Sequence, residues 1–264
     1  MISTKCTLIV PFFNESKRWN ETYWQELLQE GFNLIFVDDG STDKTKDIIS
    51  SFAKSENDVD CLFLKVNVGK ANAVRQGLLQ GLATKSECSL FGYLDADAAF
   101  AIGDIVNLHS ISEQNSNLDI DAFWSSRVKL LGNAISRNFT RHYISRILTT
   151  YIAHDIPNFP YDSQSGLKLF RKSKELSSSL VDKFETRWFL DLELMLRLLR
   201  LNSNYKICEI PVSEWTDKIG SKIKYSEVIN VLVEARFIRS NLKSNRLLMK
   251  KDRIRGNFRW TQIR

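Results

Sequence analysis

Two short apolar runs that break off into carboxylates constrain this chain more than any other feature. Leu34-Ile35-Phe36-Val37 ends in Asp38-Asp39-Gly40-Ser41-Thr42-Asp43, and the run from Ser89 to Leu94 ends in Asp95-Ala96-Asp97. Each run has the length of a buried strand, and helical spacing from Lys44 to Phe52 follows the first. The acidic side chains therefore stand where buried strands end. In open α/β sheets that end is where ligands bind. Two acidic strand ends in one sheet point to a nucleotide and a divalent cation held side by side.

The first hundred residues keep one rhythm. Strands at Lys5–Pro11, Asn33–Val37, Cys61–Val66 and Ser89–Leu94 alternate with helices at Trp19–Glu30, at Lys44–Phe52 and from Asn67-Val68-Gly69-Lys70 through Leu82. This alternation predicts an α/β fold with a mostly parallel sheet and helices on both faces. Next come a helix at Ile102–Gln114, a strand at Asp121–Ser125 and a helical stripe over Ala134–His154. A loop is expected over Asp155–Gly166, then a short strand at Leu167–Phe170 and an apolar helix at Phe189–Leu201. A late strand at Tyr205–Val212, a polar loop at Glu214–Lys222 and an amphipathic helix at Tyr225–Leu242 complete the pattern. The stripe of Phe139, Tyr143, Ile144, Ile147, Leu148, Tyr151 and Ile152 is either core or an apolar face open to a membrane or lipid. With no repeat and no low-complexity linker, one domain is expected at 1–223 and a basic helical extension at 224–264.

Charge separates these two parts. Residues Arg236 to Arg264 hold ten Lys/Arg against Asp252, a local +9 that leaves −3 for the remainder of the +6 total. Such a tail suits an anionic membrane face or an acidic partner, or simply stays solvated. Aromatics interleave with it only at Phe258 and Trp260, so nucleic acid is not an expected partner. No run approaches about 18 apolar residues, so no spanning helix is expected. Met1 to Lys5 leads straight into a strand without a signal-peptide pattern, which predicts a cytosolic protein. Cys6, Cys61, Cys88 and Cys208 lack metal-knuckle spacing and read as reduced thiols. His109, His142 and His154 show no ligand spacing either.

Asp95-Ala96-Asp97 puts carboxylates at alternate positions of a strand end, where a bent backbone brings both to one site. Carboxylates suit hard cations such as Mg²⁺ and Mn²⁺, above all when phosphates complete the shell. A solvated turn is the ordinary reading of that tripeptide, and its place after an apolar strand is what lifts it. Asp38-Asp39-Gly40-Ser41 lacks the glycine spacing of a dinucleotide fingerprint or P-loop. Its carboxylates can accept from a base N–H or from ribose hydroxyls. Ser41 and Asp43 also fit helix capping.

Several segments in order carry a family resemblance: Ile9-Val10-Pro11-Phe12-Phe13-Asn14-Glu15, Phe36 to Asp43, Asn67-Val68-Gly69-Lys70 and Asp95-Ala96-Asp97. Together they resemble the family 2 glycosyltransferases. Ser126-Arg127, Asp162 to Phe170, Arg187 to Leu194, Glu209-Ile210-Pro211-Val212, Trp215-Thr216 and Gly220-Ser221-Lys222 narrow the likeness. The order is similar to the dolichyl-phosphate glucose and mannose synthase branch, closest to the glucosyl type, over roughly residues 5 to 223. The resemblance implies a GT-A fold and inverting transfer from a nucleoside-diphosphate sugar, with UDP-glucose first.

By the same resemblance, Pro11 and Glu15 shape the nucleoside pocket, Asp39 accepts from the base, and Asp38 assists with base or ribose. Lys70, Ala96 and Gln164 belong to the donor site. Asp95 contacts ribose, phosphate or metal, Asp97 binds the Mg²⁺ or Mn²⁺ ion, and Lys222 closes over the diphosphate. Asp191 is the carboxylate near the acceptor. It is the general base for a hydroxyl acceptor and is not needed as one for an ionised phosphate. Arg127, Arg137, Arg141 and Lys168 are expected to hold acceptor or donor phosphates, a task that suits arginine forks.

Two departures stand out. Ala71-Asn72 follow Gly69-Lys70 where relatives usually carry glycines, and the membrane helices common at the ends of relatives are not expected from this sequence. The resulting expectation is an enzyme on the inner face of a membrane that acts on a polyprenyl phosphate or other lipid-linked carrier. Its C-terminal helix would lie on anionic lipid, on the domain or against a second copy. The rivals are transfer to a saccharide hydroxyl in glycan or capsule assembly, and a non-catalytic protein that keeps the nucleotide fold.

Overall fold

The structure is a computed structural model that describes residues 5–136, 139–154, 159–216 and 228–249, with side chains described throughout except at 139–145, 228 and 243–249. Its centre is a seven-stranded sheet. The strands are β1 (Cys6–Phe12), β2 (Asn33–Asp38), β3 (Val59–Phe63), β4 (Leu90–Leu94), β5 (Ala122–Ser126), β7 (Leu167–Arg171) and β8 (Ile207–Pro211). They lie in the order β3-β2-β1-β4-β7-β5-β8. All pair in parallel except β7, which runs antiparallel to both β4 and β5. A parallel neighbour needs a long crossover, but β7 enters from the loop that reaches the sheet's acidic edge, so it descends between β4 and β5. Nothing in a strand pattern of four residues announces that direction.

The central strands are buried on both faces, which explains their nearly unbroken apolar sequence. Along β1, Leu8 and Val10 point into one core layer and Ile9 into the other. The first layer is covered by α1 (Glu21–Gln29), α2 (Thr45–Ser55) and α4 (Ile102–Gln114). The second is covered by α3 (Lys70–Thr84), α6 (Lys174–Ser179), α7 (Leu190–Leu201) and α8 (Val228–Met249). α8 is an integral part of that layer, since Val231, Ala235, Ile238 and Leu242 are buried there at helical spacing.

Some element boundaries differ from expectation. β3 begins at Val59 and ends at Phe63, because pairing with β2 runs only from Leu34 opposite Val59 to Asp38 opposite Phe63. The stripe from Ala134 splits into strand β6 (Ala134–Ser136) and helix α5 (Phe139–Ala153). Ile152 of α5 is buried while Ile147 and Tyr151 are exposed, so the stripe is part core and part open surface. The polar stretch from Glu214 begins with β9 (Glu214–Thr216), which pairs in parallel with β6. Asp104 at the start of α4 fixes that ribbon by accepting from Ser213 N, Ser213 Oγ and Glu214 N.

Candidate active site

The chain order brings the predicted residues to one edge. The connections leaving β1 and β4 diverge across the sheet, and the C-terminal ends of β1, β2, β4 and β5 share an edge with the start of β7. That divergence is where an open sheet leaves a crevice. Pro11, Asp38, Asp39, Asp95, Arg127 and Gly166 all lie along it.

Asp39 is buried at the end of β2, and its carboxylate accepts from Val68 N at 2.7 Å and Gly69 N at 2.9 Å. It thereby pins the turn that opens α3. Each oxygen retains a second lone pair, so a further donor can be accepted. Burial raises Asp39 above the ordinary carboxylate value, against the two N–H bonds and the charge of Arg187. Asp38 Oδ2 accepts from Ser41 N, while its Oδ1 is buried without a partner among the described residues. Such an oxygen is costly to leave unmet and marks a place for a donor or cation. Gly40 takes φ +70°, and a Cβ there would come within 2.8 Å of the 66–67 backbone, so glycine is required. Glu15, expected in the nucleoside pocket, donates its N–H to Thr45 Oγ1 and pairs its carboxylate with Arg18.

At the end of β4, Asp95 pairs with Lys70 at 2.5 Å, and Asp97 accepts from Ala99 N. Burial and then the neighbouring Asp95 charge raise Asp97 above its ordinary value, with Ala99 N–H, Arg18 and Lys70 opposing. Burial weakens the Lys70 charge, but Asp95, Asp191 and Asp97 together outweigh it. Ala98 adopts φ +51°, a strained conformation for alanine that bends the chain between the carboxylates and Phe100. Gly166 of the β7 entry is sterically demanded, because a Cβ on it would lie 2.1 Å from Asp95 Oδ2.

Two carboxylates at alternate positions of one strand end fit a divalent cation, and hard oxygen donors favour Mg²⁺ or Mn²⁺. No cluster of three or more His, Cys, Asp or Glu suited to a metal occurs among the described residues. Asp95 and Asp97 would therefore need phosphate and water oxygens to complete a shell.

Behind these carboxylates lies a buried knot. Asp191, the second residue of α7, pairs with Lys168 Nζ at 2.5 Å and accepts from Tyr93 Oη. Lys168 also donates to Ser165 O, and its ammonium lies 4.7 Å from the Trp124 ring centre. Burial lowers Lys168 below the ordinary lysine value despite Asp191, and burial followed by Asp191 raises Tyr93. This corrects the expectation for Lys168. It is fully buried, its ammonium is engaged by Asp191 and Ser165, and it presents no surface to an acceptor phosphate.

Arg127 is held by Asp162 through two 2.8 Å bonds, Nε to Oδ2 and Nη2 to Oδ1, and stacks 4.8 Å over Trp215. Burial weakens its charge, and Asp162 more than restores it. Asp162 and Tyr161 N–H groups in turn bond Glu209. Gln164 Nε2 is buried without a partner among the described residues. Ala96 is buried beside the two carboxylates. Arg137 and Lys222 lie outside the described residues, as does the side chain of Arg141.

The profile of glycosyl transferase family 2 matches residues 7–175, which span β1 through the start of α6 and contain both acidic strand ends. The chain belongs to glycosyl transferase family 2. This glycosyltransferase is 30% identical over 243 residues to dolichyl-phosphate beta-glucosyltransferase ALG5A of Trichomonas vaginalis, across 88% of this chain and 72% of that protein. It is 27% identical to a dolichyl-phosphate beta-glucosyltransferase of Dictyostelium discoideum, across 82% of this chain and 68% of that protein. In sequence it falls with the dolichyl-phosphate glucosyltransferase branch. Glucosyl-3-phosphoglycerate synthase of Mycobacterium tuberculosis, solved with Mn²⁺, UDP and phosphoglyceric acid, superposes with a TM-score of 0.60 at 14% identity, over 92% of this chain and 78% of that one. TarS of S. aureus, solved with UDP-GlcNAc, gives 0.54 at 16% identity, over 89% and 66%. Those likenesses carry the fold, which is GT-A.

The candidate site contains residues that motif reading passed over. Tyr93 and Asp162 orient the predicted Asp191 and Arg127, Glu209 holds the 161–162 backbone, and Arg187 donates from Nη2 to Asn67 Oδ1 beside Gly69. Asp162, Glu209 and Arg187 stand inside matched motifs, a signal that was available. Tyr93 sits in a plain apolar strand, so only its contact with Asp191 reveals it.

Proposed function

We propose that this glycosyltransferase moves a hexosyl group, glucose first, from a UDP-sugar to a phosphate carried on a polyprenyl lipid, with inversion at the anomeric carbon. An ionised phosphate oxygen attacks that carbon. The new C–O bond forms as the bond to the diphosphate oxygen breaks, and the electron pair departs with the diphosphate. No proton has to be removed.

The observation that carries this reading is the binding of Asp191 to Lys168 and Tyr93. A carboxylate that took a proton there would leave a buried ammonium without its counter-charge, which is costly. That disfavours a general base and with it a hydroxyl acceptor. The dolichyl-phosphate glucosyltransferase names of the relatives agree with a lipid phosphate.

In this reading Pro11, Glu15, Asp38 and Asp39 hold the nucleoside, and Asp38 Oδ1 receives the donor it lacks. Lys70, Asp95, Ala96 and Asp97 face the diphosphate, and Gln164 reaches the sugar with its unmet amide. A divalent cation on Asp95 and Asp97 would offset charge on the leaving diphosphate. Arg127 meets the acceptor phosphate, and Arg137, Arg141 and Lys222 add positive charge. Exposed Ile229, Leu232 and Val233 of α8, with Ile147 and Tyr151 of α5, give a peripheral surface for the lipid on the cytoplasmic face of a membrane. No helix among the described residues is long and apolar enough to cross a membrane.

The test is donor turnover with UDP-glucose, other UDP-sugars and GDP-mannose, with Mn²⁺ or Mg²⁺, with and without a short polyprenyl phosphate. The expected result is UDP release from UDP-glucose that needs metal and rises with the lipid phosphate. Release indifferent to that lipid, but stimulated by a saccharide, would transfer the acceptor role to a hydroxyl and return Asp191 to the role of base.

A further inference from the structure

We propose that Glu234, on the C-terminal helix, is a positioning residue for the nucleotide end of the donor site, acting through Arg187 and Asn67. The proposal rests on the reading of the β2 edge as the nucleoside pocket.

Four consecutive backbone N–H groups ahead of α7 are gathered by two carboxylates. Glu193 of α7 accepts from Glu185 N, Thr186 N and Thr186 Oγ1. Glu234 Oε2 accepts from Arg187 N at 3.0 Å and Trp188 N at 2.9 Å. Glu193 is itself held by Arg197, so residues 185–188 are clamped between α7 and α8. Phe189, the cap of α7, makes no side-chain capping bond, which leaves the clamp to fix the approach to the helix.

The clamp sets the place of the Arg187 side chain. Its Nη2 donates to Asn67 Oδ1 at 3.0 Å, and Asn67 Nδ2 donates to Asp39 O at 3.2 Å. Its stem lies over Gly69, where a Cβ would sit 3.4 Å from its Cγ. Gly69 and Val68 give their N–H groups to the Asp39 carboxylate. A continuous path of hydrogen bonds thus runs from α8 to the acidic end of β2. The same segment leads three residues further to Asp191. Removing Glu234 frees the Arg187 backbone and slackens the 67–69 turn against Asp39.

The experiment measures UDP affinity by calorimetry and thermal unfolding on the full chain. Glu234→Ala should weaken UDP by at least about tenfold, since small misplacements at such sites are costly. Glu234→Gln should restore most of the affinity, because a single amide oxygen can accept both N–H groups. Arg187→Ala should weaken UDP similarly, and adding Glu234→Ala to it should cost little more. Asn241→Ala is the control. It removes the Arg200 bond that also ties α8 to α7, away from the nucleotide edge, and should lower stability with UDP affinity unchanged. UDP affinity unaffected in folded Glu234→Ala, or weakened as much in Asn241→Ala, would overturn the proposal. Should Glu234→Ala fail to fold, normal UDP binding by Arg187→Ala would overturn it equally. Failure of the unaltered chain to bind any nucleoside diphosphate would instead sink the donor-site reading, and this proposal with it.

Discussion

Asp191 and Lys168 show how far a residue's role depends on what surrounds it. Each is a charged side chain in an apolar interior, tolerable only because the other is 2.5 Å away. Removing one partner leaves the other charged and buried. Lys168→Met and Asp191→Asn should therefore each destabilise by about 3–5 kcal/mol. The double variant should lose clearly less than the two losses combined. Urea unfolding of the four proteins checks this, and additive losses would mean that the two groups do not depend on each other. Activity of Asp191→Asn has meaning only beside that measurement, since a fall in rate with a matching loss of folded protein says nothing about chemistry. The acidic strand ends were readable from sequence as the ends of buried strands, because carboxylates after an apolar run mark where burial stops. Lys168 was misread because a lysine inside an alternating motif gives no sign of which face it occupies.

At the scale of elements, the turn after β2 both builds the site and starts a helix. Asp43 accepts from Thr45 N and Thr45 Oγ1 and from Ser16 N and Ser16 Oγ, tying the start of α2 to the turn after β1. Slight burial raises its pKa, but these bonds dominate and bring it to about 2. A depressed carboxylate stabilises the fold above its unfolded value and loses that contribution as pH falls through the folded one. Asp43→Ala should thus lower the melting temperature by about 2–4 °C at pH 6 to 7. That gap should narrow between about pH 4 and pH 2. Melting scans over that range measure it, and a gap that does not change with pH would remove the charged form of Asp43 from the account. Sequence spacing placed a polar turn ahead of this helix, because a turn is a local matter of a few residues, though the residue that caps α2 is Lys44, without a side-chain bond. The ribbon of β6 and β9 was missed for the opposite reason: its strands are three residues each and lie about eighty positions apart, joined by Asp104 and by pairing that no local window contains.

In the whole molecule, α8 closes the layer formed by α3, α6 and α7. Ile238 is fully buried in that layer, so Ile238→Ala should cost about 2–5 kcal/mol, and the protein is expected to unfold in one cooperative transition that the substitution shifts. A separate, weaker transition for the C-terminal helix would show instead that it folds by itself. The sequence alone settled the alternation of strands and helices, the two acidic strand ends and the family to which they belong, because period, length and turn chemistry are local and repeat. Only the tertiary structure decided that β7 runs against its neighbours, that Gly166 makes room for Asp95, that Lys168 turns inward to Asp191, and that Glu234 reaches the segment before α7. Each depends on which residues meet across long separations. That is fixed by packing both faces of one sheet and by meeting every buried charge and N–H group, neither of which is written in any single stretch of chain.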